Sequence, residues 1–219
     1  MSASSHGTET EATSLLLDAT SATSATSATS APDPGAEPGQ INGMTYTLDK
    51  GDTIVAVSGQ WDEFARNNDG EKTLASHVVG RKLERFIVGD TTRMFVLTMI
   101  MSARHLQRPI YRPYRCDSST HKRFMEMIIQ PRAEGRLEVI HRELYCEPLL
   151  HRVRLVVVSP GAATKYAKRC SLCNRVQVEG VWTELDDAIK SRRLQVEASG
   201  LKVIYGVCPD CLTRRGMPL

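Results

Sequence analysis

Two Cys-x-x-Cys pairs, Cys170-Ser-Leu-Cys173 and Cys208-Pro-Asp-Cys211, constrain this chain more than any other feature of its sequence. Two residues between cysteines allow a tight turn that aims both sulfurs at one point. Two such knuckles supply the four thiolates that a tetrahedral zinc ion prefers. Cys170, Cys173, Cys208 and Cys211 are therefore the expected metal ligands. A shell closed by four protein ligands marks a structural ion, because catalytic zinc keeps one position open for water or substrate.

Iron is the chemical competitor, since rubredoxin-type sites also use paired knuckles. Those place a glycine after each pair, whereas Asn174 and Leu212 follow here, which favours zinc. Disulfides are the other alternative, disfavoured in the reducing compartment that a chain without an export signal would occupy. Between the knuckles, Val176, Val178 and Val181 alternate as in a short strand. Thr183 to Ile189 reads as a capped helix start, and Val203-Ile204-Tyr205-Gly206 suggests a strand returning to the second knuckle. A module this small lacks a sufficient core. The metal should supply much of its folding free energy, about 10–16 kcal/mol for structural zinc in peptides, so strong chelation is expected to unfold residues 165–215.

The other end of the chain is compositionally different. Residues 1–40 hold one apolar cluster, Leu15-Leu16-Leu17, among Thr-Ser-Ala repeats and Pro32, Pro34 and Pro38. Such a segment cannot bury enough apolar surface to offset chain entropy, and it reads as a disordered low-complexity tail. No Lys or Arg precedes Lys50, which argues against a secretory signal. The longest apolar run, Met94 to Met101, is less than half of the roughly 20 residues needed to cross a bilayer. A soluble, cytoplasmic protein without membrane contact is expected. The net charge of +3 conceals an acidic tail, with Glu9, Glu11, Asp18, Asp33 and Glu37, so the remainder carries +8. Its Lys and Arg are interspersed with Glu and Asp, the pattern of a solvated surface.

Residues 41–150 are legible by periodicity. Met44–Leu48 and Thr53–Val57 flank Asp49-Lys50-Gly51-Asp52, a hairpin signal. Gln60 to Asn68 reads as a short helix that turns Trp61 and Phe64 toward the core. Asp90 or Thr91 can cap a long helix through Leu106, on which Met94, Leu97, Met101 and Ala103 or Arg104 recur at helical spacing. Strands are predicted at Pro109–Cys116, Arg123–Gln130 and Leu137–Tyr145, the last two joined by a turn over residues 131–136.

This order, two strands, helices, then a three-stranded meander, resembles that of PAS domains, and the local sequence is similar to one bacterial PAS-like family. The likeness rests on Ser58-Gly59-Gln60-Trp61-Asp62-Glu63-Phe64-Ala65, Val79-Gly80-Arg81-Lys82-Leu83, Gly89-Asp90-Thr91-Thr92, Tyr114-Arg115-Cys116-Asp117-Ser118 and Glu147-Pro148. The cysteine segment in turn resembles a zinc-ribbon-like ending appended to bacterial two-component and PAS-containing signalling proteins. It is carried by Cys170-Ser171-Leu172-Cys173-Asn174-Arg175-Val176, Trp182 and Gly206-Val207-Cys208-Pro209-Asp210-Cys211. Asn174 stands where that family usually has Lys, and Leu172 where an aromatic is common.

The resemblance implies an α+β fold: a PAS-like five-stranded antiparallel sheet with helices on one face, plus a small zinc-ribbon-like module. It also implies a small-molecule cavity between sheet and helices, without naming its ligand. The chain then divides into a tail over 1–40, a PAS-like domain over 41–150, a linker over 151–164 and a four-cysteine zinc-binding module over 165–219.

Other candidates have plainer readings. His141, on an inward strand position, reads as a hydrogen-bonded core histidine before it reads as a ligand to haem. Cys116 and Cys146 could form a thiol pair only if their strands are adjacent. Arg115 and Asp117 share a strand face and suit an ion pair. No Gly-rich phosphate loop, Gly-x-Ser-x-Gly elbow or His-Glu-x-x-His helix occurs, so no enzymatic activity is expected. The leading expectation is a cytoplasmic sensory or regulatory protein of bacterial signal transduction. In it the PAS-like domain senses a ligand or forms a homodimer, and the zinc module contacts a signalling partner. The rival is a zinc-ribbon nucleic-acid-binding transcriptional regulator, motivated by Arg169, Arg175, Arg192, Arg193, Arg214 and Arg215. A salt-dependent gel shift separates the two.

Overall fold

The computed structural model describes residues 43–58, 60–66, 70–117, 120–159, 161 and 165–213. The expectations for residues 1–40, Gly59, Asn67, Asn68, Ser118, Arg214 and Arg215 lie outside the described residues. Strands Gly43–Leu48 (β1) and Ile54–Val57 (β2) pair antiparallel across the Asp49–Asp52 turn. The Asp49 carboxylate accepts the N–H groups of Gly51 and Thr53, both at 2.8 Å, which is why an Asp opens this turn.

Helices Trp61–Arg66 (α1), Ala75–Val78 (α2) and Asp90–Leu106 (α3) follow. Strands Ile110–Arg115 (β3), His121–Pro131 (β4) and Leu137–Pro148 (β5) complete the first sheet. Its order is β2-β1-β5-β4-β3, with every neighbouring pair antiparallel. The five-stranded antiparallel sheet expected of the α+β fold is therefore present. One face of it, including Tyr46, Leu48, Met125, Met127, Ile129, Leu137 and Val139, packs with Trp61, Val96 and Ile100 from the helices. Trp61 is buried as expected, its indole N–H donating to the Thr73 carbonyl at 2.7 Å, whereas Phe64 is only half-buried.

The long helix has the expected extent but only part of the expected inward face, since Ala103 is buried and Leu97 packs on the core. Met94 and Met101 are 70% and 67% exposed, while Thr92, Val96, Met99, Ile100 and Ala103 are buried. Two stripes of this helix satisfy helical spacing, and the buried one contains a threonine, which lowered its apolar signal. Thr92 is inside because its hydroxyl meets that of Ser171 at 2.6 Å. The helix start also differs: Gly89, at φ 84°, is the N-cap, and a Cβ there would lie 3.3 Å from the Tyr205 carbonyl oxygen. Asp90, free of the capping role, pairs with Arg93 at 2.7 Å. Ile100→Ala should cost about 2–5 kcal/mol and Met101→Lys less than about 0.5 kcal/mol, measured by urea denaturation. Equal costs would contradict the assignment of the buried face.

The second sheet comprises Leu155–Val157 (β6), Ala167–Cys170 (β7), Val176–Val178 (β8), Val181–Thr183 (β9) and Leu201–Gly206 (β10). Its order is β6-β10-β7-β8-β9, with β10 parallel to both β6 and β7. The edge strand β6 lies within residues 151–164, the stretch read as a linker, and β7 had no alternation to reveal it. The β8–β9 hairpin turns at Glu179 and Gly180, both with positive φ, as a tight two-residue hairpin requires. Helices Leu185–Lys190 (α4) and Pro209–Leu212 (α5) complete the unit. Its own apolar clusters are small: Ala167, Leu201 and Val203 in one, Val176, Val178 and Ala188 in the other. Leu172, Val207 and the four knuckle cysteines belong instead to the core of the first sheet. No helix among the described residues is long and apolar enough to cross a membrane.

Candidate metal centre

Strand β7 delivers Cys170, and the chain then reverses through a turn closed by the Asn174 N–H on the Cys170 carbonyl at 2.9 Å. Asn174 adopts a left-handed φ of 59°, a conformation that Asn tolerates better than most residues. Strand β10 delivers Cys208, which caps α5, and Pro209 at the first helical turn turns Cys211 back toward it. Each knuckle therefore hangs from a strand end, and β7 and β10 are hydrogen-bonded neighbours.

The four sulfurs all lie within 4.8 Å of one another, and every one of these cysteines is buried. The Cys173 and Cys208 sulfurs are 3.7 Å apart. A tetrahedron with zinc–sulfur bonds of about 2.3 Å has edges of about 3.8 Å, so the spacing fits four thiolates around one ion. The donor set is soft, water-excluded and closed, matching a structural ion such as zinc. Such an ion would tie the two knuckles together. Cys173 and Cys211 donate to the Cys170 sulfur and hold its pKa far down, and the same bonding pushes Cys173 up to about 12 and Cys211 higher still. Metal binding must therefore displace protons.

The knuckles are seated on β3 and α3. The Arg115 N–H donates to the Leu172 carbonyl at 2.6 Å, Asn174 donates its side-chain amide to the Arg115 carbonyl at 3.4 Å, and Ser171 meets Thr92. Arg112 of β3 donates to the Cys211 carbonyl at 2.5 Å. Asn174 and Leu172, the two departures from the resembled pattern, thus face inward, where Leu172 fills core and Asn174 contacts β3.

A buried ion network ties the two sheets together. The Arg115 guanidinium grips Asp117 at 3.0 and 2.5 Å and reaches Glu184, just before α4, at 2.6 Å. Arg169 of β7 approaches the same Asp117 at 3.5 Å. The sequence indicated the Arg115–Asp117 pair; the partner 69 positions away at Glu184 had no signal in it. Farther along, Lys122 pairs with Asp186 at 3.0 Å. These contacts bear on the arginines proposed for nucleic acid. Arg169 is buried, and Arg175 pairs with Asp210 at 3.0 Å, which leaves Arg192 and Arg193 exposed among the described candidates.

Comparison with known proteins assigns the chain to no family. No protein-family model matches the chain, and no curated protein does. Among solved structures, a domain of an HTR-like protein from Haloarcula marismortui matches at 15% identity with a TM-score of 0.35, covering 47% of this chain and 98% of that one. A sensory box sensor histidine kinase from Vibrio cholerae matches at 9% identity and a TM-score of 0.35, covering 48% of this chain and 83% of that one. At such values the likeness decides nothing about what the chain does.

The remaining candidates separate. Cys116 is buried just after β3 and Cys146 is exposed on β5, with β4 between those strands. Two strand spacings are roughly 9.5 Å, beyond the ~7 Å reach of a disulfide between α-carbons, so the adjacency that a thiol pair required is absent. His141 is a buried core histidine, stacked on Tyr46 and bonded through Nδ1 to the Tyr114 hydroxyl at 2.8 Å. Among the described residues its Nε2 has no hydrogen-bond partner. Beside it Met44, Trp61, Phe64, Ala65, Tyr114 and Cys116 line a small space, about that of one water molecule.

Burial holds the His141 pKa at about 4, below the ordinary 6.5, so the ring is neutral in the native state at pH 7. The unfolded chain then binds more protons between those values, and stability falls as pH drops from 6.5 toward 4. A shift of this size corresponds to about 3 kcal/mol. Urea midpoints at about pH 7 and about pH 4.5, which bracket most of that window, should differ by less in His141→Gln than in the wild type. An unchanged difference would remove His141 as the source.

Proposed function

We propose that this chain is a non-enzymatic sensory or regulatory protein of signal transduction, built from a PAS-like domain and a zinc-ribbon-like cysteine unit that holds one structural zinc ion. The observation that carries the reading is the cysteine cluster, four buried sulfurs at tetrahedral spacing set into the same apolar core as the five-stranded sheet. The strand order β2-β1-β5-β4-β3, with the helices between β2 and β3, supports the PAS-like part. The closed thiolate shell leaves no position for substrate, which supports a structural ion over a catalytic one.

In this reading the signal leaves by contact, with a cytoplasmic signalling protein or a second copy of the chain as the recipient. A ligand acts by binding one conformer better than another. A ligand larger than the small space beside His141 must move its lining, which includes Trp61, Phe64 and Ala65 of α1. Native mass spectrometry of the protein purified from cells tests the proposal, because it reports metal, small molecule and oligomeric state together. One zinc per chain, with an oligomeric state that changes when the bound small molecule is stripped, is the expected result. A metal-free or iron-loaded chain would overturn the zinc unit, and an unvarying monomer without ligand would overturn the sensory reading.

A further inference from the structure

Arg112 occupies the middle of β3, on the same side of the strand as Ile110 and Tyr114, and is only 9% exposed. Its guanidinium lies over the Phe95 ring, 5.1 Å from the centroid, and donates to the Cys211 carbonyl oxygen. Its Nε has no hydrogen-bond partner among the described residues. Among the described residues no carboxylate pairs with it, although the neighbouring buried arginines have one: Arg115 holds Asp117 and Glu184, and Arg169 holds Asp117. A buried cation without counter-charge is costly, and neither a π face nor a single carbonyl oxygen replaces a full negative charge. That carbonyl belongs to Cys211, one of the four clustered cysteines. Four thiolates around a divalent ion carry a net charge of about −2, and that charge is absent from any count of carboxylates.

We propose that Arg112 is the counter-ion of the loaded cysteine site, a positioning residue that the first sheet contributes to the metal centre of the second. Metal affinity and the packing of β3 against the knuckles are then two sides of one coupling. Anything that loosens β3 weakens the site, and losing the ion loosens β3 by the same factor. This rests on the metal reading given above, and the device would let zinc occupancy set the state of the sheet.

The test measures zinc affinity by competition with a chromogenic chelator, and unfolding midpoints with and without zinc, for the wild type, Arg112→Met and Arg112→Lys. Arg112→Met is expected to bind zinc at least about tenfold more weakly, in the range found for outer-shell partners of metal ligands, with Arg112→Lys recovering part of the loss. The metal-free form of Arg112→Met should be as stable as the wild type or more so, since it no longer buries a cation that no described carboxylate pairs with. A purely structural role predicts the opposite, an equal loss in both forms with unchanged affinity, and that result would overturn the proposal. Hydrogen exchange on the wild type decides independently of any variant. Removing zinc should raise exchange across Ile110–Arg115 more than across Ile54–Val57, and equal change in both refutes the coupling. A wild type that binds no zinc would instead defeat the metal reading itself, a result distinguishable from a zinc-bound protein indifferent to Arg112.

Discussion

Cys208→Ser is expected to abolish stoichiometric zinc and to destabilise the whole described fold by several kcal/mol, because a structural zinc is worth about 10–16 kcal/mol in small modules and a serine oxygen cannot complete a tetrathiolate shell. Cys208 is fully buried and belongs to the core of the first sheet, with Trp61, Ile100 and Tyr114. The damage should therefore not stop at the second unit. Trp61 reports on the first sheet and Trp182, packed at the edge of the same core, on the second. Single-tryptophan variants followed by fluorescence in urea should show coincident transitions in the wild type. In Cys208→Ser both should move to lower denaturant together. A variant that keeps its zinc and its midpoint would sink the assignment, and a shift confined to Trp182 would show that the two sheets unfold separately.

The second large effect concerns Arg115. Its side chain is 5% exposed and that of Asp117 is 7% exposed, so removing the guanidinium leaves a buried carboxylate with only the longer Arg169 contact at 3.5 Å. Arg115→Met should cost about 3–5 kcal/mol, the usual loss when one member of a buried pair is deleted. Glu184, one-third exposed, is solvated when released and contributes little of this. Arg115→Lys should recover only part of the stability, since a single ammonium cannot grip both Asp117 oxygens as the guanidinium does. The double variant Arg115→Met with Asp117→Leu should be more stable than Arg115→Met alone, because the buried carboxylate is removed with its main partner, although Arg169 then loses its contact with Asp117 as well. Urea denaturation of the wild type, the two single variants and the double variant forms a double-mutant cycle, and additive losses would mean that the pair has no energetic coupling.

Much of the local structure was legible because its signals are local. The Asp49–Asp52 turn, the extent of α3 and the β4–β5 hairpin follow from spacing, turn chemistry and alternation within a few residues. The inward face of α3 was only partly legible, because Thr92 reads as polar and its reason for burial, the Ser171 hydroxyl, is 79 positions away. Strands β6 and β7 escaped for a related cause. Leu155–Val157 is a three-residue edge, and Ala167–Cys170 includes Lys168 and Arg169, the latter buried only because Asp117 receives it.

The clustering of the four cysteines was legible in the sequence alone, since Cys-x-x-Cys spacing suits a chelating turn whatever surrounds it. Only the tertiary structure decided where that site stands. The sequence suggested a self-contained module held by its metal, whereas the folded chain sets the knuckles into the first sheet's core and bonds Arg112 to the carbonyl of Cys211, 99 positions away. Ligand spacing is written within a turn, but a counter-charge can come from any strand that the fold carries to the site. Periodicity records which way a side chain faces and not what it will meet.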